Sequence, residues 1–81
     1  MNLKFFIENE IRDNELSRNL VSELRKVSED TEFIAGVLFD VKNDEDKRLL
    51  LEYIKKGKDV NFEQIILNAL YLSQQREKIN K

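Results

Sequence analysis

The chain predicts an all-α fold, a compact four- to five-helix bundle-like single domain, and three observations carry that prediction. Its 81 residues include no proline and only two glycines, so little in the chain interrupts a helix. Apolar residues recur at three- and four-residue intervals along most of its length. Polar residues suited to capping stand just before those periodic stretches. A single domain over residues 1–81 is expected, fraying from about residue 76, without repeat, linker or low-complexity segment.

The first stripe is Leu3, Phe6, Ile7 and Ile11, with Phe5 off it. Leu16, Leu20, Val21, Leu24 and Val27 make a second. In one straight helix the two would be out of phase by roughly a quarter turn, so a break is expected near Asp13-Asn14. Asn14 then caps the second helix, with Glu15 in its first turn and Arg25 and Lys26 near its end, where the macrodipole favours each sign. Ser28-Glu29-Asp30-Thr31 is a polar interruption with two candidate caps.

Phe33-Ile34-Ala35-Gly36-Val37-Leu38-Phe39 is almost continuously apolar, and periodicity alone does not separate strand from helix there. Helix is expected, because Phe33, Ile34, Val37, Leu38 and Val41 keep helical spacing. A lone strand would also leave its backbone groups without partners. Gly36 lies opposite that stripe, which suggests close approach of another helix.

Asn43 is the next cap, with Asp44, Glu45 and Asp46 loading the first turn of a fourth helix. Leu49, Leu50, Tyr53 and Ile54 form its stripe, Lys55 and Lys56 close it, and Gly57 is the expected stop. Asn61 and Gln64 have the spacing of a reciprocal capping box for the last helix, and Val60 with Ile65 that of a hydrophobic staple. Phe62, Ile65, Ile66, Ala69, Leu70 and Leu72 cover one broad face of it. Leu67 and Tyr71, one turn apart, fall opposite, among Gln64, Asn68, Gln74 and Gln75. With apolar surface on both sides, this helix is expected to run through the middle of the bundle or to use the second patch on a partner.

Histidine and cysteine are both absent, which removes disulfides, thiolate chemistry and the usual zinc sites. The common acid–base and nucleophile pairs go with them, and nothing in context sets Ser17, Ser22, Ser28 or Ser73 apart as a nucleophile. Gly36 and Gly57 stand alone, so no glycine-rich loop cradles a phosphate. Glu29-x-x-Glu32 has the spacing of half a helical magnesium site, but Glu45-x-x-Arg48 and Glu63-x-x-Ile66 supply no second half. From Asp40, an EF-hand count puts Glu45 where glycine is required and Leu51 where the bidentate glutamate belongs. The expectation is no enzyme, no cofactor and no metal.

No secretory signal is read near Lys4, since Glu8 interrupts after Phe5-Phe6-Ile7, and no run is long enough to span a membrane. Without cysteine, a cytoplasmic setting is expected. Abundant Lys, Asn and Ile suggest an A/T-rich bacterial or phage genome. The net charge of −2 is uneven: residues 28–53 carry three basic and eight acidic side chains, residues 54–81 six and three. The function expected is a non-enzymatic protein–protein interaction module, self-associating or bound to another protein, of the accessory, regulatory or inhibitor kind. Leu67 and Tyr71 would anchor the partner, with Asp40, Asp44, Glu45 and Asp46 attracting a basic one. The alternative is a dimeric DNA-binding transcriptional regulator using Lys55, Lys56 and Lys58 at the joint of the last two helices, with Arg76. The acidic overall charge disfavours unaided phosphate binding.

Overall fold

A computed structural model describes residues 2–57 and 60–79, with side chains as far as residue 76. Five helices follow in order: α1 (Leu3–Asp13), α2 (Glu15–Val27), α3 (Thr31–Asp40), α4 (Asp44–Lys56) and α5 (Phe62–Ile79). The Cα radius of gyration is 12.0 Å, close to the ~12 Å that a compact domain of this length has.

Side-chain caps set the boundaries. Asn14 accepts from the Ser17 N–H at 3.1 Å and Asn43 from the Asp46 N–H at 2.8 Å. Asp30 rather than Thr31 caps α3, accepting from Glu32 N–H, while Ser28 ends α2 and its Oγ accepts from Asp30 N–H. At α5 the capping box closes both ways: Asn61 Oδ1 accepts from Gln64 N–H at 2.9 Å, and Gln64 Oε1 accepts from Asn61 N–H at 3.1 Å. Asn2 caps α1, its Oδ1 accepting from Phe5 N–H at 3.1 Å. Each such cap is worth about 1 kcal/mol over alanine, so five of them define the segments strongly.

Helix α2 packs against α1, α3 and α4, whereas α3 lies between α1 and α5. Helices α2 and α3 each pack against three others, and α5 only against α3 and α4 among the described residues, so the last helix does not run through the middle; the most fully buried helix is α3. Phe33, Ile34, Ala35, Val37 and Leu38 are all buried, and Val41 at its end is fully enclosed. A helix apolar on most sides gains by contact on most sides, and α3 is the one with that composition. Against this stand Ile7 of α1, Leu20, Val21 and Leu24 of α2, Leu50, Leu51 and Ile54 of α4, and Ile65 and Ala69 of α5.

Several expected faces turn out rotated. On α4, Leu51 is buried and Leu49 is exposed, because the helix rests mainly on α2. On α5, Phe62 and Leu70 stay 39% and 43% exposed, since among the described residues α5 packs closely only on α3 and α4. Gly36 serves no close helix contact: a Cβ there would meet no atom within 4 Å. Gly57 does end α4, with φ of −75°, so it is not there for a left-handed turn. A Cβ at Gly57 would instead collide with the Val60 side chain as the chain doubles back toward α5.

Candidate functional site

Leu67 and Tyr71 sit in the middle of α5, 65% and 57% exposed. Phe62, at the start of α5, meets Phe33, near the start of α3, with ring centroids 4.7 Å apart. Arg76, toward the other end of α5, meets Asp46 in the first turn of α4. Ile65 and Ala69 point into the crevice between those two neighbours, with Leu72 partly buried beside them. At 100° per residue, Leu67, Leu70 and Tyr71 must then point outward. Leu67 and Tyr71 are therefore surface residues, and the alternative that they contact a second layer of the bundle is excluded.

The acidic segment is divided by the fold. Asp46 is buried at 4% exposure, accepting from Arg76 at 3.1 Å and from Asn43 Nδ2 at 3.1 Å. It serves as an internal strut between α4 and α5, which removes it from any docking surface. Glu45 lies 3.6 Å from the same guanidinium but is largely exposed. Asp44, also exposed, accepts from Asn14 Nδ2 at 3.1 Å and so ties the start of α2 to that of α4. Asp40 is half-buried at the end of α3, and burial pushes its pKa up.

The candidate phosphate-binding residues are likewise split. Arg76 is bound by Asp46, whose hydrogen bond and charge push the guanidinium pKa up. It is thereby committed to the fold, not free at a joint. Lys55 and Lys56 are exposed in the last turn of α4, where they complement the helix dipole. Lys58 lies outside the described residues. Glu29 precedes α3 and Glu32 lies in its first turn, so the two carboxylates do not share a helix face.

A second polar cluster was not anticipated from sequence. Lys47, 4% exposed, places its Nζ 3.8 Å from Glu10 Oε2, and Ser17 Oγ donates to the same carboxylate oxygen at 3.3 Å. It stitches α4, α1 and α2 together. Ser17 and Lys47 occur at core-facing positions of amphipathic helices, and that periodicity is the one available signal. A groove of about 390 Å³ over α2 is lined by Ile11, Arg18, Val21, Ser22, Arg25 and Lys26. Two of its cations are already engaged, Arg18 with the Ile11 carbonyl and Lys26 with Glu23.

No helix among the described residues is long and apolar enough to cross a membrane. No protein family, curated protein or solved structure matches the chain.

Proposed function

We propose that this chain acts as a small helical protein–protein interaction module of bacterial or phage origin, a cytoplasmic accessory, regulatory or inhibitory protein that docks through the outer face of α5. The observation that carries the reading is the exposure of Leu67 and Tyr71 at the middle of the longest helix, with Leu70 beside them. Contiguous exposed apolar surface on a small domain marks interaction sites, and tyrosine is among the residues that most often anchor them. Asp44 and Glu45 add exposed negative charge at the start of α4, which would steer a basic partner. The DNA-regulator alternative is weaker, because Arg76 is occupied by carboxylates and net charge is negative.

The test uses the wild-type chain and a Leu67→Glu, Tyr71→Glu double variant as baits in a lysate of the source cells. A protein retained by wild type and lost with the variant supports the reading, provided helicity at 222 nm is unchanged. Equal retention by both overturns it, as does capture by neither when the chain is also monomeric at every concentration. Retention on duplex DNA that weakens steeply with salt would favour the regulator instead.

A further inference from the structure

We infer that the occupant of the α5 face is a second copy of this chain, with the two α5 helices packed antiparallel about a twofold axis. The inference rests on the proposed reading of that face as a docking surface. It comes from charge. From Gln64 through Gln75, twelve consecutive residues carry none, although charged residues make up 37% of the chain. The outer faces of α1, α2 and α4 have no such gap: Glu8 and Arg12, Arg18 and Arg25, and Arg48 and Glu52 all stand exposed on them.

An uncharged stripe suits a twofold contact. In an isologous interface the residues nearest the axis meet their own copies, so any charge there meets its like at a few ångströms. A surface built for a different charged protein has no such restriction and gains from complementary charge. The polar residues flanking the stripe, Gln64, Asn68 and Gln74, are all amides. An amide both donates and accepts, so it pairs with its own kind, which a carboxylate or ammonium cannot do.

Direction follows from Glu63, which bounds the run at its start, since Arg76 at the other end is turned to Asp46. Parallel helices would set Glu63 against Glu63 of the other copy. An antiparallel pair with its axis at the middle of the face sets Glu63 beside Gln74 and Leu67 against Leu70. The helix dipoles also oppose, which is the favourable arrangement. From Glu63 to Gln74 the helix is about 17 Å long. A contact of that length falls at or below the lower end of the ~1,200–2,000 Å² typical of specific interfaces, so a micromolar dissociation constant is expected.

Light scattering after size exclusion should show the mass rising from 9.7 kDa toward twice that value with concentration. Leu67→Glu should weaken association about thirtyfold or more, as a central contact does. The chain lacks cysteine, so an equimolar mixture of Glu63→Cys and Gln74→Cys chains reports direction under mild oxidation. Mixed 63–74 disulfides well above the half of all linked dimers that random pairing gives support the antiparallel pair, and a random distribution overturns it. Predominant 63–63 linkage overturns it, as does a mass of 9.7 kDa at every concentration to about 1 mM. A monomer that still captures a host protein through Leu67 and Tyr71 would refute the second copy alone and leave the docking reading standing.

Discussion

Replacing Lys47 with methionine should leave the protein as stable as the wild type, or more so. Lys47 Nζ is 3.8 Å from Glu10 Oε2, beyond hydrogen-bond distance, and the lysine side chain is 5% exposed. At an effective dielectric of about 20 that separation is worth roughly 4 kcal/mol of attraction. Water at Glu10, whose side chain is 34% exposed, screens the attraction below that value. Against it stands the desolvation of a buried ammonium, several kcal/mol per ion. The two nearly cancel, and methionine fills the same volume without a charge. Removing the other partner is different: Glu10→Gln strands the ammonium and should cost about 1–3 kcal/mol. Urea unfolding followed at 222 nm resolves both, since an m-value near 1 kcal/mol/M puts each kcal/mol at about 1 M in midpoint. The double variant should match Lys47→Met alone. A Lys47→Met loss above about 2 kcal/mol would refute the reasoning and make the ion pair a net stabiliser.

Three further outcomes are expected. Gly36→Ala should stabilise by about 0.5–1 kcal/mol, because a methyl there meets nothing and the helix gains propensity; a lower thermal midpoint would contradict the open space. Gly57→Ala should destabilise by about 1–3 kcal/mol, despite an ordinary φ, through the overlap with Val60; an unchanged urea midpoint would show that Val60 moves aside freely. Asp40 has a pKa raised by burial, so its folded state binds the proton more tightly. Its contribution is fully present below the unfolded pKa and is lost as pH rises through the folded value. Asp40→Asn should therefore be more stable at neutral pH by about 0.3–1 kcal/mol, helped by removing a negative charge from the end of α3. A urea midpoint that falls between pH 3 and 7 in the wild type by no more than in the variant would contradict it.

Local chemistry made much of the molecule readable. The break at Asn14, the cap at Asn43 and the reciprocal bonds of Asn61 and Gln64 depend on residues within four positions of one another. The helical state of residues 33–40 was legible too, from the helical spacing of its apolar residues and from the lack of any second strand candidate in the sequence. Radial placement is different, because it depends on what lies across the crevice. Leu49 and Leu51 differ by 200° around one helix, and only the seating of α4 on α2 decides that Leu51 is inside. The same holds for Asp46, indistinguishable from Asp44 and Glu45 as a first-turn acid until Arg76 arrives from thirty residues away. Which of two apolar faces α5 buries also needed the third dimension. The chain by itself determined an all-α domain of four to five helices, with readable caps at Asn14, Asn43 and Asn61 and neither histidine nor cysteine. The tertiary structure decided that α3 is the most fully buried helix and that Leu67, Leu70 and Tyr71 stay in solvent, because a helix buries whichever face its neighbours cover.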